Sequence, residues 1–171
     1  GIAEALDKAA VALNRSFIES NSIFRYATAN DPHNVTPMAV LCLQMIGHGR
    51  DNTTRAALRG MKEEQCSWNV QNQWAMYRWY YLSQAKFHGG GSDWTNWNNK
   101  FAPAYVKNQQ ADGRWVPPVA EGGHGDAGYG PAFPTALGAL TLQVYYRFLP
   151  TYQTQATEKI EVDVDQIDDV I

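Results

Sequence analysis

The chain is sparing in several things that would have assigned it to a class at once. Only two of its 171 residues are cysteine, Cys42 and Cys66. Two such residues build neither a disulfide framework nor a zinc-ligand spacing. Cys42 sits in an apolar run and is expected to be a buried, inert thiol. Charge is scarce too: 18% of residues are charged, and the net charge is −3. Nothing in that balance offers the basic surface that a phosphate backbone demands, so a nucleic-acid partner is not expected. No apolar run approaches the roughly 18 residues that a membrane-crossing helix needs. No secretory signal is visible, but the chain opens on Gly1 rather than on methionine. The opening suggests a trimmed or processed piece of a larger protein; an export signal to the periplasm or the cell exterior would be lost in such trimming, so its absence decides nothing.

What the sequence has in quantity is aromatic side chains: six Trp, nine Tyr and six Phe. Rings in that number either fill a core or line a cavity. Length and hydrophobic content suit one domain, placed at residues 1–152. Residues 153–171 are set apart as an acidic tail or linker. The fourteen residues from Glu158 carry six acids and one lysine, which leaves the body slightly positive.

Periodicity predicts helices throughout. Leu6, Ala10, Leu13 and Phe17 form one stripe of a helix from Glu4 to about Ser20. A second helix begins near Pro37, is apolar nearly all round, and stops at Gly47. An amphipathic helix over about 53–66 follows. Next comes an aromatic one from near Gln71, ending at Phe87 before His88-Gly89-Gly90-Gly91-Ser92, which is expected to be a flexible break. The fifth runs to about Gln110 and contains Pro103, which must sit in a first turn or kink the helix. After a Gly- and Pro-rich loop, the sixth covers 134–150.

Two segments repeat. Thr36–Gln44 and Thr135–Gln143 agree at Thr, Leu, Leu and Gln, and both are apolar helices after a proline-bearing loop. The stretches 57–68 and 105–115 each run from an amphipathic helix through a glutamine and a polar turn to a tryptophan. Inner apolar helices thus alternate with outer two-faced ones, and such pairs bury their apolar faces only by stacking.

The stretch Gln109-Gln110-Ala111-Asp112-Gly113-Arg114-Trp115 resembles the Q-x-x-x-G-x-W repeat, or QW motif, of triterpene cyclases. Gln109, Gly113 and Trp115 are the matching positions. Gln65 and Trp68 form a weaker copy without the glycine. The helix after the motif also resembles the one that follows it in the prenyltransferase and squalene-cyclase family. The resemblance spans most of residues 30–152. It implies an all-α fold of stacked α-hairpins, about three of them, forming part of an α/α toroid. It further implies that the glutamine bonds to the start of the next helix and stacks on the tryptophan. Because a complete ring in that family uses about six hairpins, the rest of a larger parent protein or a second copy of the chain is expected to close it.

The family's chemistries are not spelled out here. The acid motif D-x-D-D of hopene-type cyclases has no counterpart, since Asp163, Asp165, Asp168 and Asp169 lie in the tail at another spacing. Cys42, His48, His88 and His124 show no helical pairing suited to zinc, and no thioester-type loop is present. The expected role is therefore a non-catalytic binding or scaffolding domain without a cofactor. The alternative is a relative that binds or acts on an isoprenoid or a polysaccharide. Candidate ligand-facing residues are Trp74, Tyr77, Tyr81, Tyr145 and Tyr146 on the inner helices, Trp94 and Trp97 on the fifth, and His124 with Asp126 in the glycine-rich loop. The ligand would be apolar or a carbohydrate.

Overall fold

The structure is a computed structural model that describes residues 1–27, 35–69, 72–118 and 125–146. The fold is all-α. Its helices are α1 (Ile2–Asn14), α2 (Thr36–Met45), α3 (Asn52–Gly60), α4 (Ala75–Gly89), α5 (Gly91–Asn108) and α6 (Ala132–Leu142). Two short 3-10 turns, Asp126–Tyr129 and Gln143–Tyr145, flank α6, and a minimal hairpin pairs β1 (Phe17–Ile18) with β2 (Ile23–Phe24). The acidic tail, His124 and the expected end of the sixth helix at 147–150 lie outside the described residues.

Helix α4 is the centre of the molecule, packed against α2, α5 and α6. The Gln44 side chain donates to the Ala85 carbonyl at 3.0 Å, joining the C-terminal ends of α2 and α4. At the opposite end, Tyr77 of α4 stacks with Phe133 of α6, ring centres 6.4 Å apart. These contacts make α2, α4 and α6 a parallel row. Helix α5 runs back along α4: the Trp97 indole donates to the Ser83 hydroxyl, and Tyr105 reaches Trp79. Helix α3 packs on α2 and α4. The apolar helices are therefore the inner row, and the two-faced α3 and α5 lie outside it.

Local chemistry explains where the helices stop. Gly47 takes φ +90° just beyond α2. There the His48 N–H reaches the Leu43 carbonyl and the Gly47 N–H reaches that of Gln44. This double closure is the Schellman arrangement that glycine permits. Helix α3 ends at Gly60, six residues short of the expected 66. Just beyond its end, cations of neighbouring helices hold the chain: Lys86 donates to the carbonyl of the C-cap residue Met61 at 2.8 Å and Lys100 to that of Glu64 at 3.1 Å. Burial lowers the pKa of Lys86, opposed by the nearby Asp93 and Glu64. Helix α5 continues through Pro103. The bond lost to the Asn99 carbonyl falls on the exposed face, where water can serve.

The N-terminal expectation needs correction. Helix α1 stops at Asn14 rather than near Ser20, and of its expected stripe only Ala10 is buried. Phe17 turns instead into β1 opposite Phe24, rings 5.0 Å apart. Aromatic and β-branched residues at 17–18 and 23–24 favour this cross-strand pairing. Phe24 is buried, and its N–H donates to the Thr36 hydroxyl at 2.9 Å, which docks the hairpin at the start of α2.

The segment after α5 forms a tight corner. The Gly113 N–H closes a turn on the Gln110 carbonyl, with Gly113 at φ +85°, and Gln109 faces Trp115 across an antiparallel bridge. The Gln109 amide donates to the Gly113 carbonyl at 2.9 Å, within the turn itself. That differs from the expected bond to the next helix. The helix is reached instead through the Trp115 backbone N–H, which points at the Thr135 hydroxyl in the first turn of α6. The Trp115 side chain is 5% exposed, and its indole N–H takes the Tyr105 carbonyl, an orphan acceptor at the end of α5. Its ring lies against Gly138, where an added Cβ would come within 2.7 Å. The weaker copy behaves differently. Trp68 packs on Trp79 and Tyr105 and sends its indole N–H to the Val116 carbonyl, while the Gln65 side chain donates to the Glu63 carbonyl.

Candidate aromatic binding cleft

A cavity of about 960 Å3 opens where the N-terminal halves of the inner helices meet. On α2, Met38 and Cys42 face it, one turn apart, beside Pro37 and Ala39. On the α4 side, Trp74, Tyr77, Arg78 and Tyr81 line it, at the three- and four-residue spacing that puts side chains on one helix face. Tyr129 and Phe133 close the side toward α6, and Leu13, Tyr26 and Val35 the side toward α1. Tyr26, Trp74 and Tyr129 are exposed and form the mouth.

The rings brace one another. Trp74 touches Tyr77 and Tyr129 with centres 5.8 and 5.9 Å apart, and Tyr129 meets Phe133 at 5.1 Å. Tyr77 and Tyr81 meet edge to face at 4.9 Å. Such tilted and edge contacts suit the ring quadrupole and hold the wall in one shape. Arg78 is the one charged side chain lining the cavity among the described residues, and it is paired with Glu64. Burial raises the pKa of the Tyr81 hydroxyl, helped by its hydrogen bond with Tyr77, so that group stays neutral. Burial also raises the pKa of the Cys42 thiol. A thiol held protonated is a poor nucleophile at neutral pH. Cys42 is not the buried core residue its apolar neighbours suggested: it is exposed, on the face of α2 that lines the cavity with Tyr81 of α4.

Behind the wall lies Asp126. Its Oδ2 accepts the Met76 N–H at 2.7 Å and its Oδ1 the Tyr77 N–H at 3.3 Å. Asn72 serves the preceding donors, its side chain taking the Trp74 N–H and its carbonyl the Ala75 N–H. Every free N–H of the first turn of α4 is thus satisfied, two of them by a carboxylate far along the chain. Asp126 is 0% exposed. Its pKa is raised from 3.8 to about 6, because burial outweighs the two N–H groups.

The candidate residues therefore separate. Trp74, Tyr77 and Tyr81 converge on the cavity. Asp126 does not face a ligand; both carboxylate oxygens are committed to the α4 backbone. Trp97 is 1% exposed and belongs to the core. Trp94 packs between Phe87 and Phe101, away from the cavity. Tyr145 and Tyr146 are exposed but not among the lining residues; Tyr145 stacks on Phe101 and donates to Asn98. His124 lies outside the described residues. Sequence reasoning missed Tyr129 and Phe133, whose four-residue spacing was a signal hidden by the glycines around Tyr129. It also missed Tyr26, Met38 and Arg78 as wall residues.

No family model, curated protein or solved structure matches the chain. Among the described residues no three His, Cys, Asp or Glu side chains gather as a metal site, and no helix is long and apolar enough to cross a membrane.

Proposed function

We propose that the chain is a repeat domain of the prenyltransferase and squalene-cyclase type that binds an apolar ligand in its aromatic cleft and performs no chemistry of its own. The observation that carries this reading is the composition of the cleft. Six aromatic rings, with Leu, Val, Met and Pro, surround a volume suited to a small molecule, while no carboxylate or imidazole lines it among the described residues. Acid–base chemistry near neutral pH needs a group that titrates in that range within hydrogen-bond reach of the substrate, and burial moves the Cys42 thiol and the Tyr81 hydroxyl further above it. Among the described residues the one buried acid, Asp126, is held by the backbone behind the wall. The side-by-side inner helices and the Trp115 corner support the family reading. Closure of the ring by further hairpins, from a parent protein or a second copy, belongs to the same proposal.

Titration calorimetry with farnesol, a neutral isoprenoid alcohol, tests the reading. Saturable binding is expected, weakened about tenfold or more by Tyr77→Ala, which removes the ring at the centre of the wall. Trp94→Ala, on the outer helix, leaves the affinity unchanged. Absence of saturable binding, or equal losses in both variants, contradicts the proposal. Preference for a soluble oligosaccharide over farnesol would favour a carbohydrate ligand instead.

A further inference from the structure

The glycine-flanked Asp126 does more than finish a helix. The Asp126 N–H donates to the Gln73 carbonyl at 2.7 Å while its carboxylate binds the next N–H groups along, so one residue grips both sides of the entry to α4. The grip is close: a Cβ added at Gly125 would come within 2.3 Å of the Gln73 carbonyl oxygen, and Gly125 holds φ +84°. Only glycine lets the two strands of chain approach this way. What the grip joins is the cleft itself. On one side it holds the segment bearing Trp74 and Tyr77. On the other it holds the 3-10 turn Asp126–Tyr129, which leads into α6 and Phe133.

We propose that Asp126 is the positioning residue of the cleft: through the backbone of α4 it sets the spacing of Trp74 and Tyr77 against Tyr129 and Phe133, and so the affinity for ligand. The effect on affinity rests on the binding reading above; the latch does not. Asp126 touches no ligand and works through the atoms it holds. Of the titratable and charged groups on the elements packed against it, Arg78 is turned to Glu64, and Tyr77 and Tyr129 face the cleft. Among the described residues, the carboxylate is therefore held by N–H groups and not by a cation.

The test has two arms on the intact chain. Hydrogen exchange of the free protein reads the latch without any ligand. In Asp126→Ala the amides of Met76 and Tyr77 exchange about tenfold faster or more, since a buried donor has lost its acceptor. Asp126→Asn keeps one acceptor and falls between the two. Gly125→Ala, which blocks the approach while leaving the carboxylate, loosens the same amides and keeps the proposal open to test if Asp126→Ala fails to fold. Farnesol affinity follows the same order, with partial rescue by asparagine. Exchange at Met76 and Tyr77 unchanged in all variants overturns the latch. Faster exchange with unchanged farnesol affinity overturns its role in positioning the cleft. Faster exchange in a chain whose wild type binds no farnesol upholds the latch and removes the binding reading.

Discussion

Trp115 shows how much one side chain can join. Its ring fills the space left by Gly138, its indole N–H closes the end of α5, and its backbone points at the first turn of α6. Removing the ring opens a cavity at the meeting point of two helices. Trp115→Ala is expected to cost about 3–5 kcal/mol, read as a lower denaturation midpoint in urea. Gly138→Ala attacks the same contact from the other side. The ring cannot yield easily, because Tyr105 and the corner hold it, so a loss of about 1–3 kcal/mol is expected. An unchanged midpoint in both variants would mean that the indole is not wedged there. This corner was legible in the sequence, since Asp112-Gly113 announces a turn and a tryptophan beyond it must be buried somewhere. The partner of Gln109 was not: a flexible amide can reach several carbonyls, and the nearest, that of Gly113, prevailed.

Among the elements, α4 carries both the fold and the cleft, and its N-terminus is sealed by a distant carboxylate. The folded pKa of Asp126 is about 6, above its ordinary 3.8. The folded state therefore binds the proton more readily than the unfolded chain. The stability this group contributes is complete below about pH 4 and is lost as pH rises through about 6. Comparison of wild type with Asp126→Asn cancels the other titrating groups. Urea unfolding is expected to show the wild type losing about 2 kcal/mol relative to the variant between pH 4 and 7. A flat difference would mean the carboxyl is not buried as described. Helix identity was readable from periodicity, and so was an end marked by glycine at Gly47, whereas α4 runs through His88 to Gly89 and only Gly90 separates it from α5 where a flexible break was expected. Ends fixed from elsewhere were not. Helix α3 stops early where Lys86 and Lys100 hold the carbonyls of Met61 and Glu64 just past its end, and α1 gives way to a hairpin through Phe24, seven residues beyond Phe17 in the chain. The start of α4 at Ala75 depends on Asp126, fifty residues away, which no local window contains.

For the molecule as a whole, a parallel row of inner helices with α3 and α5 outside it places its cleft at one end, where aromatic side chains at the starts of α4 and α6 converge with Pro37, Met38 and Cys42 of α2 and few charges. The aromatic abundance of the sequence correctly raised the choice between core and cavity, and both were realised. Trp97, Tyr105 and Trp115 went inside, and Trp74, Tyr77 and Tyr129 went to the wall. Which ring took which place depended on the angle of each helix to its neighbours, and on a tight loop that brought Tyr129 across to Trp74. Exposed apolar residues remain at the margins. Ile2, 84% exposed, and Leu6 lie on α1, and Tyr146 lies past α6. Under the proposed reading, such margins are where neighbouring hairpins would complete the ring.

The most direct test of the cleft is a nuclear magnetic resonance titration of the 15N-labelled chain with farnesol. The account predicts saturable shifts of the Trp74 indole N–H and of the amides of Tyr77, Tyr81, Tyr129 and Phe133, while the buried indoles of Trp97 and Trp115 stay in place. Shifts that fail to saturate, or that saturate elsewhere and leave Trp74 untouched, would contradict it.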